Sequence, residues 1–218
     1  MDWLARIDAY CERTDFSYWS EPVNAVTNAA FLVAALVMWP RVRGLTGGRV
    51  LAAILFAIGI GSYLFHTHAT AWAATADVLP ILAFILVYLF LVNRDVAGWP
   101  PVVAAIGTAG FVPYAAGLTL LLRDLPFFGV SSFYWSVPVL LVLYGFWLRR
   151  RVPATVRGFV IGAAILALSI SLRSVDEAWC ENLPLGTHFL WHVLNAVMLG
   201  WMIEVYRRHM LEGGAGRG

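Results

Sequence analysis

The sequence predicts an all-α polytopic membrane protein: a seven-transmembrane helix bundle with its N-terminus outside and its C-terminus cytoplasmic. Three observations carry that prediction. Hydrophobic residues are 61% of 218 and the mean hydropathy is +0.75, well above the roughly 45–50% apolar content of soluble domains. Charged residues, only 13% of the chain, avoid long stretches, so the apolar excess falls in blocks of bilayer-spanning length rather than in one-sided stripes. Arginine is unevenly divided between alternate connections.

The spans read, in order, at about Val23 to Trp39, Val50 to Phe65, Ala76 to Val92, Val102 to Leu122, Phe133 to Leu148, Ala154 to Leu172 and His188 to Tyr206. Breakers such as Gly47-Gly48, Pro100-Pro101 and Pro153 punctuate the short connections between them. Residues 1–22 read as an acidic N-terminal segment, 23–210 as the transmembrane domain and 211–218 as a disordered tail. The first residues lack the basic-then-apolar order of a signal peptide, so insertion is expected to rely on the internal spans. No internal repeat is visible, which lowers the rank of transport.

The cytoplasmic side is expected to carry Arg41, Arg43, Arg49, Arg94, Arg149, Arg150, Arg151, Arg157, Arg207, Arg208 and Arg217, against Arg6, Arg13, Arg123 and Arg173 outside. A net charge of +2 with no basic patch excludes nucleic acid as the partner. All 15 basic residues are Arg, which with the abundant Ala, Gly and Trp points to a GC-rich bacterial genome and an inner-membrane location.

Ionisable groups at membrane depth are costly and mark functional sites. Here they gather at the outer end: Ser62 and His66 close span two, Asp77 opens span three, and His188 and His192 open span seven. Each four-residue spacing puts its pair on one helix face. Three nitrogen ligands with a fourth position open is the arrangement of catalytic zinc, and no thiolate competes for the metal. The bland alternative is three separate hydrogen-bonded histidines. His68 is a substitute ligand expected past the helix end and solvated, and His209 on the cytoplasmic tail has no role. A carboxylate beside such a metal can move the proton of an attacking water to a leaving amine, which suits Asp77, and Ser62 can hydrogen-bond an oxyanion. Alternatively the Ser62 hydroxyl bonds back to the preceding helical turn.

Asp8, Glu12, Asp15 and Glu21 place four carboxylates in a short outer segment. Such a density of hard oxygen donors suits calcium, although a solvated acidic surface with a Trp and Tyr belt would look the same. Cys11 and Cys180 are the only cysteines, and both fall on the side where an oxidising compartment permits a disulfide; two free thiols are the other reading.

Read together, three blocks make the chain resemble the alkaline ceramidase family, within the seven-helix membrane hydrolases that include the adiponectin-type receptors. They are Cys11-Glu12 with Glu21-Pro-Val-Asn24-Ala-Val-Thr-Asn28; Gly61-Ser62-Tyr-Leu-Phe-His66 with Asp77-Val-Leu-Pro80; and Arg173-Ser-Val-Asp176-Glu-Ala-Trp-Cys180-Glu181 followed by His188-Phe-Leu-Trp-His192. The resemblance covers nearly the whole chain. It implies zinc on His66, His188 and His192, catalytic roles for Asp77 and Ser62, a Cys11–Cys180 disulfide, and calcium on the acidic segment. It also implies hydrolysis of the amide of ceramide, or of a related N-acyl lipid, to a fatty acid and a sphingoid base or amine. The chain departs from the family where Asp-Trp-Cys-Glu becomes Ala9-Tyr10-Cys11-Glu12 and where the stretch from Glu12 to Glu21 is shorter. Glu12 and Glu21 therefore carry over directly, with Asp8 and Asp15 as replacements for the missing acid and amide.

Two other classes compete. A seven-helix receptor or scaffold would keep zinc for structure, yet a structural site needs neither a proton acceptor nor an oxyanion donor. A channel or transporter predicts further polar residues deep in other spans, and spans five and six offer few.

Overall fold

A computed structural model describes residues 2–215. Helices make up its regular structure; among the described residues β pairing is limited to one isolated antiparallel bridge between Arg6 and Thr70. The first span is two helices in series, α1 (Pro22–Thr27) and α2 (Ala29–Arg41). Then come α3 (Thr46–His68) and α4 (Ala71–Leu91), the latter continued by a π-helical turn, Val92–Val96. The fourth apolar block is split into α5 (Pro101–Ala109) and α6 (Phe111–Leu122). The short α7 (Pro126–Gly129) and α8 (Ser136–Leu148) precede two long helices, α9 (Pro153–Ser174) and α10 (His188–Ala215).

Proline marks many of the starts. Pro22, Pro101, Pro126 and Pro153 each open a helix, where a missing N–H costs nothing and φ is already helical. Within the fourth block Pro113 cannot donate to the residue one turn earlier, and the helix breaks beside it at Gly110.

Among the described residues six segments are long and apolar enough to cross a membrane: Pro22–Arg41, Thr46–His68, Ala71–Val96, Pro101–Leu122, Pro153–Ser174 and His188–Glu212. The expected fifth span is the exception. Its helix holds only the 13 residues of α8, about 20 Å at 1.5 Å per residue against a hydrocarbon core of about 30 Å. The turns over 130–135 precede it where helix was expected to begin. At the C-terminus α10 runs through Ala215, so the disordered tail expected over 211–218 is helical up to residue 215. Residues 216–218 lie outside the described residues.

Apolar surface alone cannot hold helices together in lipid, so close approach and polar contacts matter more. Gly158 and Gly162 lie one turn apart on α9, and a Cβ at either would collide with Val205 or Met202 of α10. The core of the bundle is built from α2, α3, α4, α9 and α10 around residues such as Phe31, Leu55, Phe84, Phe159 and Ile203. At one end Glu204 pairs with Arg41, Arg207 and Arg208. The candidate site lies at the other.

Candidate metal centre

Two helices bring the histidines together. His66 sits in the last turn of α3, and His188 and His192 occupy the first two turns of α10. One nitrogen from each lies within 4.8 Å of the others, and among the described residues this is the one such grouping of three or more His, Cys, Asp or Glu side chains. All three are at most 2% exposed. His66 Nε2, His192 Nε2 and His188 Nδ1 are buried without a hydrogen-bond partner. Unsatisfied buried nitrogens are rare and costly, and three facing one another are what a metal ion would satisfy.

The far side of two of these rings supports that reading. His66 Nδ1 lies 2.6 Å from Glu21 Oε2, and His192 Nδ1 lies 2.9 Å from Thr27 Oγ1. The Thr27 hydroxyl donates to the carbonyl of Val23 at 2.7 Å, so its oxygen is free to accept from His192. An N–H on each Nδ1 leaves the Nε2 lone pair for a metal, the usual outer-shell arrangement of metal-bound histidines. The third ring is held differently, by Tyr10 stacked on His188 with centroids 3.5 Å apart. Arg173 lies behind Tyr10, donating to its hydroxyl at 3.3 Å and to Ser131 Oγ at 2.8 Å. Burial outweighs that guanidinium and pushes the Tyr10 phenol above its ordinary range, so it stays neutral.

Ser62 and Asp77 flank the point where α3 and α4 touch. A Cβ on Gly61 would overlap the carbonyl of Ala76, with the Asp77 backbone nitrogen 3.2 Å away. Only glycine allows the two backbones this close. Ser62 is buried, and Asp77 Oδ1 is buried without a partner. Below the histidines an apolar cavity is lined by Phe31, Phe84, Tyr134, Trp191 and Leu199 among others.

The cysteines form a disulfide between Cys11 and Cys180. Asp176 organises its surroundings: its Oδ2 accepts from the Cys11 N–H at 3.0 Å and its Oδ1 from the N–H groups of Thr187, at 2.5 Å, and His188, at 2.8 Å. The carboxylate thus caps the start of α10 at the residue that enters the histidine cluster. Gly186 has a φ of +66°, and a Cβ there would strike Asp176 Oδ1.

The four acids expected to share a calcium ion are not brought together. Glu12 is buried and accepts from the N–H groups of Val23 and Asn24 at the start of α1; burial raises its pKa despite those two bonds. Asp15 is exposed and bonds Ser17, which with Ser20 and Arg13 keeps its pKa low. Asp8 is exposed. Glu21 faces inward to His66, Asn24 and Arg13. Burial pushes the Glu21 carboxyl up, but the bond to His66 and the charge of Arg13 hold it below its ordinary value. A divalent cation placed ~4 Å from the Arg13 guanidinium would be repelled by about 8 kcal/mol at an effective dielectric constant of about 20. These residues do not fit calcium.

His68 is within the last turn of α3 rather than past its end, half-buried between Tyr18 and Trp72 and outside the histidine cluster. His209 bonds Thr155 at the opposite end of the bundle. Sequence reasoning missed Thr27, Tyr10 and Arg13, and did not pair Glu21 with His66. One signal was present: Glu21, Asn24, Thr27 and Asn28 recur every three or four residues, a polar stripe at the head of an apolar span.

No curated protein matches the chain. The family model described as Ceramidase matches residues 5–214, nearly its whole length. By that match this all-helical chain, with three buried histidines gathered at one end of its bundle, belongs to the Ceramidase family.

Proposed function

We propose that the protein is a zinc-dependent amide hydrolase that cleaves ceramide, or a related N-acyl lipid, to a fatty acid and a sphingoid base or amine. One observation carries the reading: three buried histidine nitrogens converge within 4.8 Å with no other partner, beside the buried Ser62 and the unpartnered Asp77 oxygen. A zinc ion held by His66, His188 and His192 would polarise the amide carbonyl and lower the pKa of water. The Asp77 carboxylate takes the proton from the attacking water as the water oxygen bonds the carbonyl carbon. It returns that proton to the nitrogen as the C–N bond breaks. The Ser62 hydroxyl donates to the oxyanion formed in between.

The apolar cavity below the histidines gives the acyl chain a place, so that the amide reaches the polar end of the bundle. The same reading has seven crossings, with α8 completing a short fifth one. It puts the histidine end outside a bacterial inner membrane and the Glu204–Arg208 end in the cytoplasm, as the arginine bias requires.

The test is release of fatty acid by protein purified in detergent from a panel of ceramides and other N-acyl lipids, beside a His192→Ala control. Release by the wild type alone supports the reading, and the panel names the preferred lipid. Zinc-loaded wild type that releases nothing from any lipid would reassign the histidines to a receptor or scaffold.

A further inference from the structure

We propose that Arg13 is a built-in cation that holds the N-terminal segment to the histidine site, so that the protein neither binds nor needs calcium there. The guanidinium is buried, with 1% of its side chain exposed against 3% for its partner Glu21. It makes three directed contacts: Nε to Glu21 Oε1 at 2.5 Å, Nη1 to the carbonyl of Asp15 at 3.0 Å, and Nη2 to the carbonyl of His66 at 2.9 Å.

One carboxylate and two backbone carbonyls are hard oxygen donors of the kind calcium collects. In this chain they converge on the planar fork of an arginine, which is always charged and cannot be titrated or chelated away. Two of the other acids are already committed, and Asp8 is exposed. Both oxygens of Glu12 take backbone N–H groups at the head of α1, and Asp15 Oδ1 takes Ser17.

The contacts link three parts of the chain. Asp15 lies in the N-terminal segment, Glu21 immediately precedes α1, and His66 lies in the last turn of α3. The remaining oxygen of Glu21 faces His66 Nδ1. Arg13 therefore fixes both the carboxylate that orients the His66 ring and the backbone carbonyl of the same residue. It is a positioning residue for the metal centre, a part of the inference that rests on the zinc reading above.

A metal analysis of protein purified from calcium-supplemented medium tests the first half, with melting curves in calcium-free buffer and in millimolar calcium chloride. The expected result is no bound calcium and no shift in melting temperature. One calcium per chain, or a saturable rise in melting temperature with calcium, would overturn the inference.

Arg13→Gln and Arg13→Lys test the second half. Arg13→Gln leaves Glu21 buried without its cation and is expected to melt roughly 5–15 °C lower and to retain less zinc. Arg13→Lys keeps the charge but not the fork, and is expected to fall between the two. Either variant matching the wild type in both readouts would remove Arg13 from the role. Wild-type protein without zinc would fail the hydrolase reading, while the calcium and melting results would still judge Arg13.

Discussion

Thr27 Oγ1 stands 2.9 Å from His192 Nδ1 and 2.7 Å from the carbonyl of Val23, so the hydroxyl donates backward along its own helix and accepts from the histidine ring. The bond fixes the His192 tautomer with its Nε2 lone pair directed at His66 and His188. Thr27→Val keeps the shape and removes the acceptor. Zinc affinity, read by competition with a chelator, is expected to fall about 10- to 100-fold, the usual effect of losing an outer-shell partner. The melting temperature of the zinc-loaded protein should change little. Unchanged zinc affinity would mean that packing alone orients the ring.

In the proposed hydrolase Asp77 and Ser62 serve the chemistry and not metal binding, so their loss should separate the two readouts. Asp77→Asn is expected to keep its zinc and lose about 10²- to 10⁴-fold in kcat, the range for a general acid–base group. Ser62→Ala should lose about 10²- to 10³-fold, as when one oxyanion donor is removed. Parallel loss of zinc in either variant would instead make that residue part of the metal's support.

Most helices and the His188–His192 pair of the triad were legible in the sequence because both rest on short-range rules. Apolar blocks longer than a bilayer is thick must be spans, and His188 and His192 at four-residue spacing must share a face. The resemblance correctly paired Cys11 with Cys180 across a sequence separation of 169, which composition alone left open. What escaped was anything set by the path of the N-terminal segment. The carbonyl of Ala69 accepts from Ile7 and that of Ala5 from Ala71, a pairing that lays residues 5–7 across the α3–α4 connection. The path lets Tyr10 stack on His188 and buries Arg13 beside Glu21, with no periodicity to announce it. Four acids in one segment read as a cation site, and Arg13, between two of them in sequence, pairs with Glu21. The short α8 escaped for another reason, since hydropathy counts apolar residues and cannot see that 130–135 are turns.

The Cys11–Cys180 disulfide ties the N-terminal segment to the loop before α10. It stands beside Asp176, which holds the first residue of that helix. A native bridge closing so long a loop is worth about 2–4 kcal/mol. The Cys11→Ser/Cys180→Ser double variant is therefore expected to melt roughly 5–15 °C lower. Reduction of the wild type should lower its melting temperature similarly and leave the double variant unaffected. A variant as stable as the wild type would assign the anchoring of the segment to Asp176 and Arg13 alone.

Gly61 offers the sharpest test of how the two groups proposed for the chemistry, Ser62 and Asp77, are positioned. A Cβ at this residue would overlap the carbonyl oxygen of Ala76, with the carbonyl carbon 2.8 Å away. Both are backbone atoms that cannot swing aside, so Gly61→Ala must push α3 from α4. The displaced neighbours are Ser62 and Asp77, one residue further along each strand of the contact. The histidines are less affected, because His188 and His192 stand on α10 and His66 lies more than a turn beyond Gly61 on α3. Overpacking of this kind costs about 1–3 kcal/mol, and a misplacement near 1 Å costs roughly 100-fold in rate. Gly61→Ala is therefore expected to keep its zinc, melt a few degrees lower and lose most of its activity. Gly117→Ala is the control: nothing lies within 4 Å of its added Cβ, and activity and stability should match the wild type. If Gly61→Ala were fully active, the close approach of α3 and α4 would be a packing feature and the placement of Ser62 and Asp77 would not depend on it.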